Sequence, residues 1–268
     1  VCYDSGAVPP LFAEPRTEVE AGAVRLVSGD GTVFAAYSAR PLRGSGVGVV
    51  VLPDNKGLSG FYERLAVRLA EQGHAAVAVD YYARTAGVDP AERGAGFGDM
   101  ATLMPHLLKL TPEGLYGDIA AGIAYLRTPE GGAAEAVVAL GFCMGGRFAF
   151  LTAAERFGLS GVVGLYGFPG ELHGAPGPTQ RAGELSAPIL GLFGGGDENI
   201  PAAVVAEFDR ALTHAGVPHE FVTYPGAPHG FFDLQLPQFA DASADAWARI
   251  GAFLDERAVR PTGSMPSR

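Results

Sequence analysis

Residues 136–150, AVVALGFCMGGRFAF, restrict the fold of this chain more than any other stretch: an apolar, partly β-branched run meets a glycine-rich turn and then helix-forming sequence. A strand that turns into a helix within one residue needs small neighbours, and Gly141, Gly145 and Gly146 supply them around Cys143. The pattern predicts a sharp strand–turn–helix elbow with a thiol at its apex, in place of the serine of G-x-S-x-G. The start of the following helix would serve chemistry twice. Its positive dipole end favours thiolate over thiol, and the N–H of Met144 is placed to hold an oxyanion. A lone cysteine is most often a small buried hydrophobe, but three glycines around one residue argue that backbone approaches closely there.

The rest of the chain alternates between strand-like and helix-like segments. VRLVS and TVFAAYSA flank Gly29-Asp30-Gly31 and read as an antiparallel hairpin. VGVVVLP at 47–53 reads as a buried strand, GFYERLAVRLAEQG as an amphipathic helix ending at Gly73, and HAAVAVDYY as a second buried strand. After a loop-rich stretch come MATLMPHLLKL, a helix starting near Asp118, and the elbow strand with its helix. Strands VVGLYG and PILGLFG, helix PAAVVAEFDRALTHAG, strand HEFVTYP and helix SADAWARIGAFLDER complete the chain. The expected fold class is α/β, a mostly parallel central sheet with helices on both faces and its sites at the carboxyl ends of the strands.

A chain of 268 residues, 48% hydrophobic and 18% charged, is long enough for one large core, and one domain is expected over 1–268. Residues 1–22 read as an irregular N-terminal extension and 259–268 as a flexible tail. The 39 glycines and 20 prolines are scattered over turns and form no repeat. A net charge of −10 without a Lys/Arg cluster argues against a nucleic-acid partner. The two cysteines, Cys2 and Cys143, make no disulfide framework, so a reducing compartment suits the chain and Cys2 reads as incidental. No apolar run reaches the roughly 18 to 20 residues of a membrane span, and a soluble, cytoplasmic protein is expected, as monomer or small homo-oligomer.

Two further strand ends carry the partners that an activated thiol requires. Asp197 follows PILGLFG and His229 follows HEFVTYP, giving the chain order nucleophile, acid, base, which is the order of α/β-hydrolases. Taken singly, Asp197 also suits a turn or helix cap before Pro201, and His229 an ordinary loop histidine. His74, His106, His173, His214 and His219 have no comparable context and no metal-ligand spacing, and neither metal nor cofactor is expected. Dinucleotide binding fails too, since no G-x-G-x-x-G follows a strand.

GFCMGGR, GGGDENIP and PGAPHGF, with LPDNKGLSGFYERLAVRLAEQGHAAVAVDYYAR, resemble the dienelactone hydrolase family from about residue 25 to about residue 255. The resemblance implies an α/β-hydrolase fold, cofactor-free hydrolysis of small cyclic enol-lactones, and a triad of Cys143, Asp197 and His229. It also implies an oxyanion hole formed by the N–H groups of Met144 and Asn55. The family's activating glutamate after the first central strand corresponds here to Asp54, one methylene shorter and open to reading as a loop residue. Arg84 matches the arginine that binds substrate carboxylate, or is a solvated loop charge. A second family arginine just past the histidine is absent, and Gly230, Phe231, Phe232 and Asp233 follow His229 instead. Asp233 would oppose a carboxylate substrate, whereas Phe231 and Phe232, with the stretch 87–111 beside the pocket, would suit a larger apolar ester or lactone unless they belong to the core. Acyl transfer or cyclisation on the same triad, and a non-catalytic ligand-binding scaffold, stand as the alternatives.

Overall fold

The computed structural model describes residues 3, 6–10, 13–43, 46–93, 97 and 99–258. Cys2, the tail 259–268 and part of the 87–111 stretch lie outside the described residues. Strands β1 (Val19–Val27) and β2 (Val33–Pro41) form the expected hairpin, paired antiparallel from Val19 opposite Pro41 to Val27 opposite Val33. Then come β3 (Gly48–Leu52), helix α1 (Gly60–Glu71), β4 (Ala76–Val79), the short helices α2 (Ala83–Ala86) and α3 (Met100–Leu107), and α4 (Pro112–Leu126). The second half holds β5 (Val137–Phe142), α5 (Met144–Leu151), β6 (Gly161–Leu165), β7 (Ile189–Gly194), α6 (Ala202–Ala215), β8 (His219–Tyr224) and α7 (Ala240–Asp255).

All eight strands form one sheet in the order β1-β2-β4-β3-β5-β6-β7-β8. β2 pairs antiparallel with β1 and β4, and every pairing from β4 through β8 is parallel. This is the α/β-hydrolase architecture. Strands β3 to β7 are buried along their whole length, as continuous apolar runs in a doubly covered parallel sheet should be. From β3 the chain crosses to β4 on one side, whereas β5 lies on the other. The connections leaving β3 and β5 therefore run to opposite sides of this strand pair, the topological switch point at which sites of α/β sheets form.

Helix α4 begins six residues before the expected start. Thr111 accepts a hydrogen bond from Gly114 N at 3.2 Å and Pro112 opens the first turn, a cap masked in the sequence by Gly114 and Gly117. Those glycines look like helix breakers, but a β-carbon on Gly117 would lie 2.6 Å from Ser28 Oγ. α7 likewise starts at Ala240, three residues early. The N-terminal region is corrected as well: β1 begins within the expected extension, and Tyr3, Ala7, Pro9 and Pro10 are buried against the body of the protein.

Gly122 sets how closely α4 seats on the sheet, since a β-carbon there would lie 2.9 Å from Val79 Cγ1 and 3.1 Å from Val50 Cγ2. Gly122→Leu is expected to lower stability in urea unfolding by about 1–3 kcal/mol through overpacking. Unchanged stability would mean that α4 can lift off β3 and β4 without cost.

Candidate active site

Cys143 stands between β5 and α5 with φ 54° and ψ −114°, a left-handed conformation that costs a non-glycine residue about 1–3 kcal/mol. Close backbone packing holds it there. A β-carbon on Gly141 would meet Gly145 O at 2.0 Å, and one on Gly145 would meet Leu52 O at 2.0 Å and Pro53 O at 2.3 Å. The glycines therefore let the first turn of α5 press onto the end of β3. Cys143 N donates to Leu165 O of β6 at 3.0 Å, which fixes the apex from its other side.

His229 and Asp197 lie within hydrogen-bonding distance of each other. His229 Nδ1 lies 2.6 Å from Asp197 Oδ2, whose side chain is fully buried, and His229 also hydrogen-bonds to the Cys143 side chain. Burial opposes charge on the imidazole, but the Asp197 hydrogen bond, reinforced by Cys143, outweighs it and raises the His229 pKa to about 9. Burial likewise opposes ionisation of Asp197, and its bonds from His229 and from Asn199 N (2.9 Å) pull its pKa below the ordinary carboxylate value. An ionised Asp197 accepts only, so Nδ1 carries the proton it shares and Nε2 is the nitrogen left for the sulfur.

Asp54 and Asn55 follow β3 in the loop pressed against α5. Asp54 is buried, its Oδ1 accepting from Lys56 N at 2.8 Å and its Oδ2 from Tyr3 N at 3.2 Å. Burial raises its pKa; those N–H bonds counteract this, negative charge at Cys143 adds to it, and the net value is about 6. Three tyrosines fix the loop: Asp54 N donates to Tyr62 Oη at 2.9 Å, Tyr81 Oη to Pro53 O at 3.2 Å, and Tyr82 Oη to Asn55 O. Among the described residues the backbone N–H groups of Asn55 and Met144 have no acceptor, on the two sides of the contact between loop and elbow.

The remaining candidates fall elsewhere. Arg84 spends four of its five N–H donors on Asp30 and Asp118, at 2.7–3.1 Å, tying the hairpin turn to α4. Asp118 is buried and Arg84 neutralises it, so this arginine is a structural cation and not a free carboxylate receptor. Phe231 is fully buried against Tyr166 and Tyr224, and Phe232 against Phe142 and Trp247, so both are core rings and neither forms a pocket wall. Asp233 Oδ1 accepts from Val8 N and Gln235 N, both at 3.0 Å, and its charge serves that turn. A surface cavity of about 610 Å³ between α1 and α7, lined by Arg16, Leu69, His74 and Trp247 among others, contains none of the residues around Cys143.

Sequence reasoning missed Tyr166. It follows β6 directly at φ 38°, is buried, and its ring centroid lies 4.9 Å from that of His229. Its position one residue past a parallel strand, as Cys143 is past β5, was the available signal. Among the described residues no group of three or more His, Cys, Asp or Glu side chains is arranged to hold a metal, and no helix is long and apolar enough to cross a membrane.

Comparison with known proteins accords with this geometry. Residues 34–258 match the family model described as dienelactone hydrolase family. This chain belongs to the dienelactone hydrolase family. It is 32% identical over 252 residues to a Salmonella typhimurium protein provisionally named a carboxymethylenebutenolidase, covering 92% of this chain and 91% of that one. It is 30% identical over 265 residues to a carboxymethylenebutenolidase of Rhodococcus opacus, covering 95% and 96%. The crystal structure of a provisionally named dienelactone hydrolase from Klebsiella pneumoniae superposes with a TM-score of 0.77 at 31% identity, covering 89% of this chain and 99% of that one. As a dienelactone hydrolase family member the chain is a hydrolase.

Two measurements check these placements. Arg84→Ala leaves buried Asp118 without its cation and is expected to lower stability by about 2–3 kcal/mol, while KM for hydrolysed substrates stays within about twofold; a large rise in KM with intact stability would return Arg84 to substrate binding. Asp54 titrates above its unfolded value, so it supports the fold below about pH 4, and that support is lost as pH rises through about 6. Asp54→Asn has no such loss, so the variant is expected to gain roughly 3 kcal/mol on the wild type between pH 4 and pH 7 in unfolding titrations.

Proposed function

We propose that this protein hydrolyses a small ester or lactone through a thioester formed on Cys143. The reading is carried by the Cys143–His229–Asp197 chain of hydrogen bonds at a strained elbow, next to two backbone N–H groups that have no acceptor among the described residues. The names of its relatives support it, since a carboxymethylenebutenolidase acts on an unsaturated lactone.

In the proposed sequence the thiol proton rests on His229 Nε2, giving an imidazolium–thiolate pair that Asp197 balances through Nδ1–H. The sulfur attacks the acyl carbon, and the charge that leaves the carbonyl π bond rests on the N–H groups of Met144 and Asn55. Collapse breaks the carbon–oxygen bond to the leaving group, which takes its proton from His229. In a lactone that alcohol or enol remains part of the acyl chain. Water then gives a proton to His229 and its oxygen to the thioester, and the thiolate departs.

Asp54 is a second acceptor for the thiol proton. Carboxylate plus thiol becoming carboxylic acid plus thiolate adds no charge to the buried site, and titration near 6 suits a group that must both take and release a proton at neutral pH. Because Arg84 is committed to Asp30 and Asp118, substrate selection would not rest on a carboxylate bound there.

The deciding experiment compares hydrolysis of dienelactone and of p-nitrophenyl acetate by the wild type, Cys143→Ala and Asp197→Asn. Cys143→Ala is expected to abolish turnover of whichever substrate is used, and Asp197→Asn to lower kcat by about 10³–10⁴. The kcat/KM profile is expected to rise through about pH 6 as Asp54 ionises and to fall through about pH 9 as His229 loses its proton. In Asp54→Asn the acid limb should disappear. Activity surviving in Cys143→Ala would refute the thioester, and ester exchange with an added alcohol in place of hydrolysis would make the protein an acyl transferase.

A further inference from the structure

Tyr3 touches three separate loops of the centre. Its backbone N–H donates to Asp54 Oδ2 at 3.2 Å, and its carbonyl accepts from Lys56 Nζ at 2.7 Å, both in the loop after β3. Its hydroxyl donates to Phe232 O at 2.9 Å, three residues beyond His229. That hydroxyl also shares a hydrogen bond with the hydroxyl of Tyr166, the strained residue after β6 whose ring packs on His229. Because Tyr3 Oη donates to Phe232 O, Tyr166 is the donor between the two hydroxyls. The Tyr3 ring stacks on Phe61 of α1 at 3.7 Å, so the side chain has a fixed seat.

The residues that follow are sewn to the same loops. Gly6 O accepts from Gln235 Nε2, Val8 N donates to Asp233 Oδ1 at 3.0 Å, Leu234 N donates to Val8 O at 3.0 Å, and Arg64 Nη2 donates to Ala7 O at 2.6 Å. Such a segment is more than a cover over core rings. The loop carrying Asp54 and the loop carrying His229 belong to different strands, and Tyr3 hydrogen-bonds to both.

We propose that Tyr3 is a positioning residue of this centre: by bridging the Asp54 loop, Tyr166 and the backbone after His229, it aligns His229 and Asp54 on Cys143. This rests on the hydrolytic reading above. Displacing reacting groups by even about 1 Å costs up to about a hundredfold in rate, so the hydroxyl pair should act on kcat and not on binding.

The test is a double-mutant cycle of Tyr3→Phe and Tyr166→Phe in the full chain, on whichever substrate shows Cys143-dependent turnover. Each single variant is expected to lose about ten- to a hundredfold in kcat with KM within about twofold, and the double variant to lose no more than the worse single one. A role confined to packing predicts lower thermal stability with kcat unchanged, and that result overturns the proposal, as do losses that multiply. If Tyr3→Phe does not fold, Tyr166→Phe breaks the same bond from the other side and decides by its kcat. If the wild type turns over neither substrate, the hydrolytic reading fails separately, and the rate of Cys143 alkylation by iodoacetamide at pH 7.5 takes its place. Tyr3→Phe is then expected to slow alkylation about fivefold or more by loosening His229 from the sulfur, and an unchanged rate overturns the positioning role.

Discussion

The contact between the first turn of α5 and the end of β3 is the constraint on which the rest of this site depends. It brings Gly145 so near Leu52 O and Pro53 O that no β-carbon fits, and it forces Cys143 into a left-handed conformation. That packing joins strands β3 and β5 where the chain order in the sheet reverses, so the connections leaving them place Asp54 and Asn55 opposite Cys143 and Met144. The strain at Cys143 is sustained by one of the most deeply buried parts of the sheet.

Around this contact the buried charges form a graded set. Asp197 is held ionised by His229 and Asn199, His229 is held protonated to about 9, and Asp54, surrounded by tyrosines and backbone N–H groups, titrates at about 6. Two carboxylates within one centre are thereby driven apart. The one that faces a cation stays charged, and the one that faces sulfur can gain a proton near neutrality.

The polar groups outside this set are mostly structural. Arg84 neutralises the buried Asp118 and ties α4 to the hairpin through Asp30, while Arg147 donates to Phe168 O and Gly170 O and holds the loop that follows Tyr166. The aromatic residues after His229 form part of one ring cluster with Phe142, Tyr166 and Trp247. The loops that carry the candidate residues therefore rest on a rigid apolar base.

A mostly parallel sheet, the elbow and the order Cys143, Asp197, His229 are legible in the amino-acid sequence, because apolar runs, glycines at a tight turn and strand-end positions are local signals. What Arg84 and Phe231 touch is not legible there, since a charged or aromatic side chain after a strand looks the same whether it meets substrate, a carboxylate or the core. The start of α4 was hidden for a related reason: Gly114 and Gly117 signal a break locally but answer to Ser28 and the hairpin in space. Tyr3 is the furthest from legible, because nothing in VCYDSGAVPP marks a residue that reaches Asp54 and Tyr166, 51 and 163 positions away. Only the closed tertiary structure brings those groups within hydrogen-bonding distance, and burial, by removing water as their alternative partner, makes that pairing decisive.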